Sequence, residues 1–331
     1  ELAGLEPGIT HAVVGRRGLL LAFPQGERAT WRLLLTRAAG PDRLPFGQPG
    51  PSVPTADLQE HLDKAGLEAR IVELRWSGRV RLQHRLATCF GRGRLYLAGD
   101  AAHSYSPATG QGMNTGIQDA ANLGWKLAFA ASGTASAALL GSYDLERRPV
   151  ARRVLALTHV AFWGEASTHP LPSLLRGVLA PLGAPAIPAL LSRPRLVAAG
   201  VRVLSQLWVA YPSSPLSVEG RPGLGAGPRA GQRLPDAVVT GDGRRVRLHD
   251  LLAGPGVHVL LQRDAAPIRA EVLGPRVVVH RLSSAPGAGL VAVRPDGHVG
   301  FRCGRADLVQ LRAWLARVGA AHPAAAGRCR R

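Results

Sequence analysis

Gly99-Asp100-Ala101-Ala102-His103-Ser104-Tyr105-Ser106-Pro107-Ala108-Thr109-Gly110-Gln111-Gly112-Met113-Asn114-Thr115-Gly116-Ile117-Gln118 says more about the architecture than any other part of this 331-residue chain. Ahead of it, the apolar run Leu95-Tyr96-Leu97-Ala98 predicts a buried strand. Behind it, Met113 to Ala130 has helical spacing. The Asp100 carboxylate can accept hydrogen bonds from hydroxyl groups. Gly110 and Gly112 let the backbone approach a flat ring with no Cβ in the way. The free N–H groups and positive dipole end of the following helix favour negative charge developing nearby. Strand, acidic turn, glycine-rich loop and helix N-terminus together predict a site for a large polar cofactor with hydroxyls and a polarisable ring.

Working outward, Asn122-Leu123-Gly124-Trp125-Lys126-Leu127 follows, and then Tyr143-Asp144-Leu145-Glu146-Arg147-Arg148-Pro149. On these motifs the chain resembles the class A flavoprotein monooxygenases, the family of para-hydroxybenzoate hydroxylase and phenol hydroxylase, especially their actinobacterial polyketide-tailoring members. Residues 94 to 150 carry the specific part of the likeness. The resemblance implies FAD as cofactor. Gly99 and Asp100 would hold the ribityl hydroxyls, and Gly110, Gln111, Gly112, Met113 and Asn114 would present backbone groups to the pyrimidine edge of the ring. Pro107 would shape the face at which oxygen reacts, the one position assigned a catalytic part. His103 offers acid–base chemistry near neutral pH, but in the family it is mainly structural.

The family opens with a strand-Gly-x-Gly-x-x-Gly-helix unit for the ADP half of FAD, and no such unit stands near the start of this sequence. The family's internal Asp-Gly motif, associated with FAD and NAD(P)H, is also missing. Gly223-Leu224-Gly225-Ala226-Gly227 is no substitute, because Pro222 and Pro228 flank it and no helix opens there; it reads as a linker. The expectation is a C-terminal portion of a longer flavoenzyme, which by itself would not retain stoichiometric FAD and would leave the Leu95–Ala98 strand as an exposed edge.

Composition, 46% hydrophobic and 19% charged, suits a globular protein with more than one domain. The formal net charge of +19 is almost all arginine, spread over the chain, with Lys64 and Lys126 the only lysines. A nucleic-acid binder would concentrate that charge among aromatics or in a known module; Gly243-Arg244-Arg245-Val246-Arg247 is too short, so no nucleic-acid partner is expected. Cys89, Cys303 and Cys329 have neither metal spacing nor a Cys-x-x-Cys pair, and their odd number argues against a disulfide framework. No metal is expected, and a reducing cytoplasm fits. Leu127 to Tyr143 and Gly177 to Ser192 are apolar but broken by glycine or proline, so no membrane span is expected.

The predicted fold is α/β (α+β): the C-terminal part of a Rossmann-like FAD-binding fold with a substrate-domain sheet, helices and a thioredoxin-like C-terminal domain. Residues 1–88 read as the partial substrate-domain sheet, with strands at Ala12–Gly15, Gly18–Phe23, Thr30–Thr36, Glu68–Trp76 and Val80–Leu86. A helix is expected over Pro54–Lys64 with Thr55 as N-cap. Residues 89–215 read as the C-terminal part of the FAD-binding domain with its helices. There Ile117, Ala120, Ala121 and Gly124 form a small-residue face for packing on a sheet. Pro149 suits a helix start, and Arg147 with its neighbours reads as a solvated, ion-paired face, a phosphate role being the alternative. Residues 216–331 read as the thioredoxin-like domain, with strands at 257–262, 276–282, 290–293 and 299–303 and a helix over 306–318. Lacking a redox cysteine pair, it is structural or a surface for homodimerisation.

The resemblance implies an FAD-dependent, NAD(P)H-using monooxygenase that hydroxylates an aromatic or polycyclic phenolic small molecule. Two alternatives stay open. One is a same-fold flavoprotein doing Baeyer–Villiger or other redox chemistry. The other is a non-catalytic remnant or scaffold.

Overall fold

The computed structural model describes residues 2–6, 8–15, 18–26, 30–36, 50–80, 83–106, 110–132, 135–167 and 169–321. They group into two compact units, one of residues 1–85, 104–112 and 154–204 and one of residues 86–103, 113–153 and 205–331.

The first unit holds an antiparallel sheet of β1 (His11–Gly15), β2 (Gly18–Pro24) and β3 (Trp31–Leu35). His11 pairs with Ala22 and Leu20 with Leu35. Period-2 alternation turns Leu20 and Ala22 to the same side, and both are buried. Helix α1 (Thr55–Lys64) presents its fully buried Leu62 to Leu20 and Ala69, closing a small core. Pro54, not Thr55, occupies the cap position of α1, and no side chain caps it. The long strands expected over 68–76 and 80–86 shrink to the two-residue strands Arg70–Ile71 and Arg85–Leu86, residues 81 and 82 lying outside the described residues. Trp76 in the irregular stretch is exposed. The apolar run 170–191 is long and apolar enough to cross a membrane by length and composition, though Pro181 interrupts it and little of it is buried.

The second unit is built on two long helices and a mixed sheet. Strands β4 (Val218–Glu219), β5 (Val238–Gly241), β6 (Arg244–Arg247), β7 (Val257–Gln262), β8 (Val277–Leu282), β9 (Leu290–Val293) and β10 (Val299–Cys303) lie in the order β4-β10-β9-β7-β8-β5-β6. β7 and β8 are parallel, while β9 runs antiparallel to both β7 and β10. This parallel pair followed by a hairpin and a closing helix is the thioredoxin-like order. The helix from β7 to β8 is reduced to the short turn Ala270–Val272. Val257, Val259 and Leu261 face the closing helix (Leu308–Val318), whose Leu311, Trp314, Leu315 and Val318 are buried. Leu260, Val293 and Val299 face the other way, toward Leu234 and Leu248. A Cβ at Gly300 would overlap the Trp314 ring, so only glycine lets that tryptophan lie flat on the sheet. Asp307 caps the closing helix by accepting from the Val309 and Gln310 amides, and left-handed Gly319 ends it.

The two long helices are α2 (Gly112–Ala131) and α3 (Ala137–Ala166). Trp125 and Phe129 of α2 and Leu139 of α3 belong to the same core as Val257 and Trp314. The small-residue face expected to pack is the exposed one: Ile117, Ala120, Ala121 and Gly124 point outward. The face of α2 that is buried is mostly polar, with Thr115, Asp119, Asn122 and Lys126 at helical spacing beside Leu123, Trp125 and Phe129. α3 runs through Pro149 instead of starting there. Leu95, expected in a buried strand, is 78% exposed and belongs to a two-residue strand, Leu95–Tyr96, whose pairing is with Gly91–Arg92.

Candidate functional site

In the second unit the glycine-rich motif begins as a 3-10 turn, Gly99–Ala101. Gly99 has φ of 58°, in the left-handed region that glycine enters without steric cost. Its carbonyl accepts from the Ala102 amide at 2.8 Å, and its own amide donates to Asp119 Oδ2 at 3.1 Å. A Cβ at Gly116 would sit 3.4 Å from the Gly99 Cα, so the turn lies almost against α2. Asp100, at the middle of the turn, is exposed, and its carboxylate takes no hydrogen bond among the described residues. Met113 and Asn114 belong to the first turn of α2, Met113 74% exposed and Asn114 half-buried.

In the first unit Gly110 has φ of 63° and nothing within 4 Å of where a Cβ would stand. Gln111 is buried, and Gly112, the first residue of α2, has only the Tyr105 ring edge near its Cβ direction, at 4.0 Å. Pro107, with Ala108 and Thr109, lies outside the described residues.

Behind the Asp100 turn stands a buried polar network. Asp119 receives His103 Nε2 at 2.6 Å and Arg147 Nε at 2.7 Å. Burial alone would raise the Asp119 carboxyl, but the hydrogen bond from His103 and the charge of Arg147 outweigh it and hold it below the usual carboxylate range. Arg147 is fully buried and donates also to the Tyr211 hydroxyl at 2.9 Å and the Thr115 carbonyl at 3.1 Å. It is therefore no solvated arginine. A second cluster centres on Glu146, which accepts from Arg294 Nη1 at 2.7 Å, Lys126 Nζ at 2.8 Å and Asn122 Nδ2 at 2.7 Å. Its carboxyl falls to about 2, since Arg294 and Lys126 together overcome the opposing effect of burial. Burial pushes the Lys126 ammonium down to about 8 in spite of Glu146. Asp296 completes the cluster, bonded to Arg294 and accepting from the Trp125 indole at 3.2 Å. Among the described residues no group of three or more His, Cys, Asp or Glu could hold a metal ion.

Residues 47–158 match the FAD binding domain family, and residues 227–321 match the aromatic-ring hydroxylase C-terminal domain. The chain therefore carries a segment of the FAD binding domain family followed by a segment of the aromatic-ring hydroxylase C-terminal family. It is 36% identical over 240 residues to a flavin-dependent monooxygenase of Mycobacteroides abscessus, covering 72% of this chain and 44% of that protein. With the 6-methylpretetramide 4-monooxygenase of Streptomyces rimosus it shares 33% identity over 267 residues, 80% of this chain and 44% of the relative. Among solved structures, an aromatic hydroxylase from angucycline biosynthesis superimposes with a TM-score of 0.68 at 28% identity, covering 97% of this chain and 63% of the other. The chain thus spans less than half the length of the curated relatives quoted.

The residues of this chain suit a flavin. An exposed carboxylate on a tight turn, with no partner among the described residues, is what ribityl hydroxyls require. Local sequence does not mark Asp119, Glu146, Arg147 and Arg294 as paired buried charges. One signal was available for the helical part: Thr115, Asp119, Asn122 and Lys126 recur on one face, a polar stripe as regular as the apolar one opposite.

Proposed function

We propose that this chain is the flavin-ring and substrate side of an FAD-dependent monooxygenase that hydroxylates an aromatic or polycyclic phenolic compound, with NAD(P)H as reductant and O2 as oxygen donor. The single observation that carries the reading is the exposed Asp100, without a partner among the described residues, on a turn fixed by left-handed Gly99 and braced by Asp119. Asp100 would accept hydrogen bonds from the ribityl hydroxyls. The backbone amides from Gly110 to Asn114 would serve the pyrimidine edge, and Pro107 would take the catalytic part that the resemblance implies. Bound and reduced, FAD supplies oxygen activation and transfer; the chain supplies binding, orientation and exclusion of water. The division into a substrate-sheet part to residue 88, a flavin part with helices over 89–215 and a thioredoxin-like part from 216 belongs to the same reading. So do homodimerisation through the last part, a cytoplasmic setting, and the absence of a membrane-spanning segment. Free Cys89 and Cys303 support the cytoplasmic setting.

The test is co-expression with the part of the Mycobacteroides relative that this chain does not match, followed by turnover of phenolic polycyclic compounds under labelled O2. One labelled oxygen on a ring carbon, dependent on NADH or NADPH, is the expected product. A labelled ester would mean Baeyer–Villiger chemistry, an unlabelled dehydrogenated product would mean desaturation, and a yellow but inert complex would leave a scaffold.

A further inference from the structure

The direction of Asp100 is set by backbone alone, because its side chain has no partner among the described residues. Two hydrogen bonds flank Asp100 on that backbone, Ala102 amide to Gly99 carbonyl and Gly99 amide to Asp119 Oδ2, while the Ala102 carbonyl accepts from the Ala87 amide at 2.8 Å. The first lies within the turn. The second is the turn's tie to α2, and Asp119 is itself constrained by what else it accepts.

Asp119 also accepts from His103 Nε2 on Oδ2 and from Arg147 Nε on Oδ1. Arg147 fills its other nitrogens with the Tyr211 hydroxyl, Gln118 Oε1 and the Thr115 carbonyl. Tyr211 is anchored in the C-terminal domain: its amide donates to the Gly231 carbonyl at 2.8 Å, and its ring lies 4.4 Å from that of His298. Asp119, Arg147 and Tyr211 are all buried, so water cannot stand in for a broken link. A continuous path of hydrogen bonds therefore runs from the C-terminal domain to the Gly99 amide, next to the carboxylate assigned to the cofactor.

We propose that Asp119 is the positioning residue of the Gly99–Asp100 turn, and that Arg147 and Tyr211 make the turn's geometry depend on the C-terminal domain. The thioredoxin-like part then has a role toward the flavin without touching it: it holds the arginine that orients the aspartate that fixes the turn. The functional meaning rests on the flavin reading of Asp100 given above; the positioning itself does not.

The experiment is residue-level amide hydrogen exchange on the 331-residue chain, with Asp119→Asn and Tyr211→Phe. Asp119→Asn keeps the shape but weakens the acceptor, and Gly99 should exchange about tenfold faster while the β7 amides keep their protection. Tyr211→Phe, which deletes one hydroxyl from Arg147, should speed Gly99 by roughly threefold with β7 unchanged. If Asp119→Asn does not fold, Tyr211→Phe carries the test. Gly99 exchange that stays at the wild-type rate, or rises by the same factor as β7, would overturn the proposal, since the latter means general destabilisation. FAD titration of the co-expressed assembly separates the two readings: faster Gly99 exchange with unchanged FAD affinity keeps Asp119 as the positioning residue and removes Asp100 from the flavin site.

Discussion

Replacing Glu146 with Gln should cost this protein more stability than almost any other isosteric change. The carboxylate faces Arg294 through two bonds, at 2.7 and 2.8 Å, and Lys126 and Asn122 through two more, all with buried side chains. Glutamine keeps the volume, but it removes the negative charge and turns an N–H donor toward one of two cations. Asp296 is then left as the anion of the cluster. Breaking a buried ion pair by removing one partner costs about 3–5 kcal/mol. At about 2–4 °C per kcal/mol for a cooperative unit of this size, the unfolding midpoint should fall by about 6–20 °C. Calorimetry at pH 7 reads this directly. Asp264→Asn, at the exposed Arg263–Asp264 pair, is the control that should leave the midpoint in place. A second variant tests the cause: Lys126→Met added to Glu146→Gln removes one orphaned cation, so the double variant should be less destabilised than the sum of the singles by roughly 0.5–3 kcal/mol. A midpoint within about 2 °C of wild type for Glu146→Gln, or strict additivity in the double variant, would refute the reasoning.

Three further outcomes are expected. Glu146 has its folded carboxyl at about 2 against an ordinary 4.5, so its contribution is complete above pH 4.5 and lost as pH falls toward 2; Asp119 and Asp296 shift the same way. Urea unfolding from pH 6 to pH 2.5 should therefore show stability falling with acid, and a flat profile would contradict the assigned pairings. Asp100→Ala in the co-expressed assembly should weaken FAD binding by about ten- to a hundredfold, the worth of a charge-assisted acceptor, with the unfolding midpoint unchanged. Gly112→Val should leave folding within about 1 kcal/mol, because only the Tyr105 ring edge stands near its Cβ direction. The same variant should lower hydroxylation by crowding the ring, and normal turnover with normal flavin spectra would place the loop elsewhere.

The parts legible in the amino-acid order are those governed by local chemistry. Gly99 and Gly110 stand in left-handed conformations, which their lack of a Cβ makes inexpensive. The strands β7, β9 and β10 follow mostly apolar runs, and the last helix lies between a capping aspartate, Asp307, and a left-handed glycine, Gly319. Even there the boundaries depended on pairing: Glu68–Trp76 has the composition of a strand, yet only Arg70–Ile71 is paired.

What tertiary structure decided was which face of each helix is inside. Glu146-Arg147-Arg148 in a helix looks like a solvated, ion-paired surface, and Ile117-Ala120-Ala121-Gly124 looks like the packing side of α2. The first is reversed for Glu146 and Arg147, while Arg152 and Arg153 of the same helix are exposed as expected, and the second is reversed throughout. Arg294, 148 residues beyond Glu146, supplies the charge that makes burying Glu146 tolerable, and Tyr211 with Asp119 does the same for Arg147. A charge can be buried only when a partner of opposite sign reaches it with good geometry. No property of the local sequence reveals that partner, because it is brought there by β9 and the turn that follows it. The sequence by itself therefore determined the turn that offers Asp100 and the strands of the C-terminal domain. Only the folded chain determined that the two are joined, through a buried path of hydrogen bonds, in one compact unit.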